Sequence, residues 1–265
     1  MFLVTGGTGT LGRLVVPQLV QAGGKVRVLS RHPREAAEGV EFAVGDLDTG
    51  AGIDAAVAGA EVIVHCAGGR KGDGDKARTL VRAASRAEGL EGAGAPHLVN
   101  ISVTGADRVP QDGRLDRTMF GYFGMKLDAE RVIAGSGLPW TTLRATQFYD
   151  LLLMVARAMA RLPVIPVASG MRFQPVDAGE VAARLAELAL GPPSGLVPDL
   201  AGPRIYPMAD LVQSYLRAAG MRRPVVPVRL PGHAAEAVRN GANLAPERAV
   251  GRRTWEEFLA ERVRR

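Results

Sequence analysis

The sequence predicts an α/β protein built on a doubly wound parallel sheet, with a small C-terminal portion over one edge of it. Three observations carry that expectation. A short apolar run, "MFLV", leads at once into the glycine-rich turn "TGGTGTLG" and then into a helical pattern. Strand-like and helix-like runs then alternate through the first half of the chain, as βαβ units do and sandwiches do not. After Phe148 the alternation gives way to shorter pieces broken by proline and glycine.

The elements follow in order. Leu11, Leu14, Val15 and Leu19 are apolar at helical spacing, and Pro17 is expected to kink that helix or loosen its second turn. "KVRVLS", "VEFAVGD" and "AEVIVHCAG" are the second, third and fourth strands. A helix over about 75–88 leads to the fifth strand, "HLVNISVTG", and one over about 118–134 leads to the sixth, "WTTLRAT". The core is thus expected over residues 1–148. Over 149–265 the pattern predicts a helix at 150–159, short strands at 164–167 and 173–176, and helices at 178–190 and 208–219 flanking "GPPSGLVPDLAGP". A strand "RPVVPVRL" and a last helix "TWEEFLAERV" close the chain. This portion is expected to complete the sheet edge and cover a substrate pocket. "GGRKGDGD" and "EGLEGAGA" read as polar loops, and 106–119, "ADRVPQDGRLDRTM", suits a lid and a plain surface loop equally.

Composition narrows the function classes. A single cysteine, Cys66, excludes an intrachain disulfide and a cysteine-cluster metal site, and four scattered histidines give no metal-ligand pattern. The net charge of +6 comes from twenty-nine arginines and four lysines spread along the whole chain, which reads as solvated faces rather than a nucleic-acid footprint. The longest apolar candidate, "LLLMVARAMARLPVIPVA", is interrupted by Arg157 and Arg161, so no membrane partner is expected. With the glycine turn so close to the first residue, no secretory signal is expected and the predicted location is cytoplasmic.

The glycines point to a ligand. Gly7, Gly9 and Gly12 give G-x-G-x-x-G, and reading from Gly6 gives G-x-x-G-x-x-G. Either register makes a tight turn between strand and helix and aims helix N-terminal amides at a pyrophosphate, so Gly6, Gly7, Thr8, Gly9, Thr10, Leu11 and Gly12 are the expected phosphate cradle of a dinucleotide. The end of the second strand selects which dinucleotide. NAD sites place an acid there for the ribose 2′-hydroxyl, whereas this chain has Ser30 and Arg31, and an arginine can pair bidentately with a 2′-phosphate. NADP(H) is therefore the expected cofactor. Asp46 and Leu47 suit either the adenine edge or a simple turn. Cys66, Ala67 and Gly68 end the fourth strand along the cofactor trough, with Cys66 read as a small buried residue rather than a nucleophile.

"GYFGMKLDAE" places Tyr122 and Lys126 four residues apart, on one face of a helix. An ammonium beside a phenol lowers its pKa, and a tuned phenol can pass a proton to a substrate oxygen while hydride moves at the adjoining carbon. Ser102, at the end of the fifth strand, offers a hydroxyl for the same oxygen. Gly121 and Gly124 each weaken that helix by about 1 kcal/mol relative to alanine, which would put Tyr122 on a frayed turn.

Taken together, "TGGTGTLG", "NISVTG", Y-x-x-x-K and "LRATQFYD" resemble an atypical short-chain dehydrogenase/reductase of the NmrA-like or NAD(P)H-binding subgroup, and "FQPVDAGEVAARLAEL", "DLAGPRIYPMADLV" and "GRRTWEEFLAER" extend the resemblance over nearly the whole chain. The resemblance implies an extended Rossmann fold with NADP(H) along the strand ends. It also implies catalytic Ser102, Tyr122 and Lys126, with Lys126 holding the nicotinamide ribose. Ala145 and Thr146 stand where typical members carry a proline-glycine pair.

The function expected is NADPH-dependent reduction of a carbonyl or quinone on an apolar or aromatic small molecule, bound near Gln147, Phe148, Tyr149, Met154, Met171 and Phe173. Those residues suit a pocket wall and ordinary core equally. Two other functions fit the same cofactor. One is a non-catalytic NADP(H) sensor that binds a protein partner, and the other an internally balanced reaction such as epimerisation. A monomer and a homodimer are both compatible with the sequence.

Overall fold

The structure, a computed structural model, describes residues 1–69, 72–87 and 94–263. In chain order its elements are β1 (Phe2–Thr5), α1 (Gly12–Gln21), β2 (Val26–Ser30), β3 (Val40–Val44), α2 (Ile53–Val57), β4 (Val62–His65), α3 (Asp73–Ala87), β5 (His97–Val103), α4 (Arg114–Ala134) and β6 (Trp140–Ala145). There follow α5 (Tyr149–Met159), β7 (Ile165–Ala168), β8 (Arg172–Phe173), α6 (Ala178–Leu190), β9 (Gly195–Leu196), β10 (Tyr206–Pro207), α7 (Met208–Ala218), β11 (Val225–Val228), α8 (His233–Arg239) and α9 (Trp255–Arg262).

Among the described residues the main sheet has seven strands in the order β3-β2-β1-β4-β5-β6-β9. The pairs β1–β2, β1–β4, β2–β3, β4–β5 and β6–β9 are parallel. This is the doubly wound sheet that the alternation predicts. The strand order reverses between β1 and β4, and in open α/β sheets ligands bind outside the carboxyl ends of the strands at such a point. Thr5 stands level with Leu29 on one side and His65 on the other, so the glycine turn emerges at that reversal.

The chain divides into two compact units, each made of three segments. Unit 1 comprises Met1–Ser102, Met125–Leu143 and Gly179–Val197; unit 2 comprises Val103–Gly124, Arg144–Ala178 and Pro198–Arg265. In unit 1, Leu3, Ile63 and Leu98 from neighbouring strands pack with Ala77, Leu80 and Ala84 of α3 and Ile133 of α4. The α3 residues recur at three- and four-residue steps, so one stripe of that helix is buried. Each fully buried leucine or isoleucine contributes about 2 kcal/mol of transfer free energy.

Unit 2 is built on aromatics. Tyr149, Trp255 and Phe258 pack with ring centroids 5.2 to 5.7 Å apart. Around them lie Leu152, Ile165, Tyr206, Leu211 and Leu216. A capping box fixes the start of α9: the Thr254 hydroxyl accepts from the Glu257 N–H, and the Glu257 carboxylate accepts from the Thr254 N–H. In the same unit β8 pairs antiparallel with β10, and β7 pairs parallel with β11.

Several elements differ from those expected. The helix α1 runs through Pro17, which is exposed. The helix α4 begins at Arg114, so the second half of the stretch read as a loop is its first turn and more. The remainder is fastened by buried Ala106 and Val109 and by the Arg108 guanidinium, which donates to the Leu244 carbonyl. The strand expected over 173–176 shortens to Arg172–Phe173, with Val176 making a single bridge to Phe148. The end of the helix expected at Glu88, most of "EGLEGAGA", and Arg70 and Lys71 of "GGRKGDGD" lie outside the described residues.

Candidate functional site

Unit 1 carries a trough of about 490 Å³ along the carboxyl ends of β1, β2, β3 and β4. Its walls include ten residues singled out from sequence: Gly6, Thr8, Gly9, Ser30, Arg31, Asp46, Leu47, Cys66, Ala67 and Gly68. Gly7, Thr10, Leu11 and Gly12 belong to the same turn behind that wall.

The turn requires glycine at identifiable points. Gly6 has φ +67°, and a Cβ there would lie 2.7 Å from the Ala67 nitrogen. A Cβ on Gly12 would overlap the Gly6 carbonyl and lie 2.6 Å from the Gly7 Cα. Gly9 N–H donates to the Gly6 carbonyl at 2.9 Å, closing the loop. At Gly6 and Gly9 the wall between β1 and α1 is therefore backbone alone, which permits a phosphate to approach closer there than a side chain would allow. These are the features a dinucleotide needs, and the residues present fit it.

Across the trough stand Arg31, His32 and Arg34, of which the sequence reading named only the first. The Ser30 hydroxyl donates to the His32 carbonyl at 2.7 Å and accepts from its N–H, so Ser30 shapes the turn that presents these three side chains. Asp46 plays a similar part opposite, its carboxylate accepting from Asp48 N–H at 2.9 Å. Lys76 lines the trough and pairs with Asp48 at 3.1 Å.

Beneath the trough lies a buried polar group of residues. His65 is wholly buried, with Nδ1 2.7 Å from the Thr5 hydroxyl. Burial first, and then the charges of Lys126 and Lys76, push its pKa down to about 3, so the ring is neutral. Cys66 is only partly covered as a residue, yet burial pushes its thiol up to about 12 against the opposing pull of Lys126. A thiol held protonated in this way is no nucleophile.

Lys126, on α4, is 6% exposed and forms an ion pair at 3.2 Å with Asp73, which is wholly buried at the start of α3. Ser102, also in unit 1, is buried, and its hydroxyl has no hydrogen-bond partner among the described residues; the same holds for the Asn100 side-chain nitrogen. Tyr122 lies on the part of α4 that belongs to unit 2 and is 45% exposed, its ring edge-on to Phe123. The helix continues through Gly121 and Gly124 without a break. Gly124 admits Gln111, whose side chain a Cβ would meet at 2.9 Å and whose amide donates to the Phe120 carbonyl.

The six residues expected along a substrate wall all fall in unit 2 and do not converge. Gln147 and Phe148 follow β6, and both polar atoms of the Gln147 amide are buried without a partner among the described residues. Tyr149 is 0% exposed, with its hydroxyl donated to the Arg253 carbonyl at 2.5 Å, and Met171 is 3% exposed; both are core. Phe173 packs at the margin of that core. Met154, 60% exposed, lines a separate groove of about 470 Å³ with Asp150, Arg157, Arg161 and Arg262. Among the described residues no helix is long and apolar enough to cross a membrane.

Comparison with known proteins agrees with this geometry. A family model described as NAD(P)H-binding matches residues 6–151. Ceramide reductase of Caulobacter vibrioides is 31% identical over 206 residues, covering 73% of this chain and 62% of that protein. A reductase of (4-alkanoyl-5-oxo-2,5-dihydrofuran-3-yl)methyl phosphate from Streptomyces griseus is 30% identical over 151 residues, 56% of this chain and 48% of that protein. An uncharacterised protein of Mycobacterium tuberculosis is 27% identical over 86% of this chain, which spans about a quarter (24%) of its length. Among solved structures, an NADPH-dependent quinone oxidoreductase from Escherichia coli, complexed with NADPH, aligns with a TM-score of 0.80 at 20% identity over 98% of this chain and 99% of that one. Triphenylmethane reductase from Citrobacter sp., complexed with NADP(H), aligns with a TM-score of 0.75 at 19% identity over 99% of each chain.

Proposed function

The chain belongs to the NAD(P)H-binding family, and from that premise we propose that it is an NADPH-dependent reductase acting on a carbonyl or quinone group of an apolar or aromatic small molecule. One observation carries the reading: in the trough of unit 1 a glycine-rich turn, open to close approach at Gly6 and Gly9, stands opposite Arg31, His32 and Arg34. The turn suits the pyrophosphate, and the guanidinium at the end of β2 suits a 2′-phosphate. Four similar proteins described by name as reductases or oxidoreductases support a reductase, and three of the names, for quinones, triphenylmethane dyes and a ceramide, favour an apolar acceptor.

Bound NADPH supplies the hydride. The chain's own residues then have three tasks in this proposal. Tyr122 donates the proton to the substrate oxygen. Ser102 offers its unengaged hydroxyl to the same oxygen, and Lys126 holds the nicotinamide ribose. Gln147 and Phe148 are the two members of the expected wall retained in this reading, since Tyr149 and Met171 have no surface to give.

The test is oxidation of NADPH and NADH by the purified protein over quinones, aromatic ketones and aldehydes, with Tyr122→Phe alongside. The expected result is preference for NADPH and a loss of about 10²- to 10⁴-fold in kcat for Tyr122→Phe, the usual worth of a positioned proton donor. Equal rates for the two proteins would remove Tyr122 from the chemistry. Tight NADPH binding with no turnover on any acceptor would overturn the reductase reading.

A further inference from the structure

One charged group near the trough has no part in the function proposed above. Asp73 is 0% exposed, a carboxylate taken wholly out of water, which is costly unless the charge is both paired and hydrogen-bonded. It is both. Its Oδ1 accepts from the Gly69 N–H at 3.0 Å, and its Oδ2 stands 3.2 Å from the Lys126 ammonium. Its place in the first turn of α3 sets it against the positive end of that helix.

The pair also abuts the trough. Gly68 and Gly69 line it, and a Cβ on Gly68 would meet the Lys126 Nζ at 3.0 Å and the Asp73 carboxylate at 3.4 Å. One carboxylate thus ties the β4 wall of the trough to the ammonium of a lysine on α4. A lysine has four rotatable bonds and a compact point charge, so where its ammonium sits depends on what holds it.

We infer that Asp73 is a positioning residue for the cofactor: its carboxylate fixes the Lys126 ammonium against the Gly68–Gly69 wall, and so fixes where the lysine grips the nicotinamide ribose. This rests on the reading that Lys126 holds that ribose. Charge and position make opposite predictions here. NADPH is an anion, so deleting a nearby carboxylate would by Coulomb attraction alone tighten its binding, whereas loss of positioning weakens it.

The experiment is NADPH binding, followed by cofactor fluorescence without any acceptor, for the wild type, Asp73→Asn, Lys126→Met and the double variant. Lys126→Met is expected to weaken binding about tenfold, as loss of a hydrogen bond to a charged group does. Asp73→Asn is expected to weaken it comparably in the wild type and less than about twofold in the Lys126→Met background, because residues acting through one contact are not additive. If Asp73→Asn alone fails to fold, the double variant strands neither charge and is compared directly with Lys126→Met. Unchanged or tighter binding by Asp73→Asn overturns the inference, as does an equal loss in both backgrounds, which would mark a purely structural role through Gly69. If Lys126→Met itself binds normally, the lysine's cofactor role falls, and this inference with it.

Discussion

The neutral ring of His65 makes a quantitative prediction about acid. Its pKa lies near 3 in the folded chain and near 6.5 once unfolded. Between those values the unfolded chain binds the extra proton and the folded chain does not, so stability is fully present above pH 6.5 and drains away as the pH falls toward 3. Integrating the linkage from pH 7.5 to pH 5 gives a loss of about 2 kcal/mol from this one residue. For a protein of this size that is about 4 to 8 °C in the melting temperature. The assay is urea denaturation at both pH values for the wild type and His65→Gln, whose amide does not titrate in this range. Carboxylates titrating in the same range act on both proteins, so the difference between the two pH slopes isolates His65. The glutamine variant is expected to be less stable at pH 7.5 and to lose about 2 kcal/mol less on acidification. Identical slopes would refute the claim that the ring is held neutral by burial and by the nearby lysines.

Two further substitutions test the trough itself. Gly12→Ala drives a Cβ into the Gly6–Gly7 backbone, and is expected to cost about 1 to 3 kcal/mol in denaturation and to abolish NADPH binding in a fluorescence titration; full affinity would contradict the closed-turn reading. Arg31→Ala is expected to weaken NADPH about tenfold while leaving NADH affinity nearly unchanged, since only the 2′-phosphate is lost as a partner.

The sheet was legible because its signals are local. A glycine turn between an apolar run and a helical run, repeated strand-to-helix alternation, and strands buried on both faces can all be read within a dozen residues. What escaped is short or non-local. The helices α2 and α8 span five and seven residues, too few to establish a period. The seventh sheet strand, β9, is two residues inside a proline- and glycine-rich stretch, and is a strand only because β6 stands beside it. Within the trough the bare turn was evident from spacing, while Arg34 and Lys76 carry no motif. Asp73 was hidden most thoroughly: it sits in a segment that reads as a polar loop, and its burial depends on a lysine on α4, far along the chain. Tyr149 and Met171 show the converse, since an apolar side chain has the same letter whether it faces a ligand or a core.

The interleaving of the two units has a consequence for heredity and for protein engineering. The chain passes from one to the other at the end of β5, between Ser102 and Val103, inside α4, between Gly124 and Met125, again inside β6, and twice more around the Gly179–Val197 segment. No single cut releases either unit as a continuous piece. A fragment ending at residue 148 would keep the glycine turn yet forfeit α6 and β9, stripping β6 of its neighbour. Neither half can therefore be exchanged between genes as one continuous cassette, and a change in what the site binds has to arrive by point substitution or by remodelled loops.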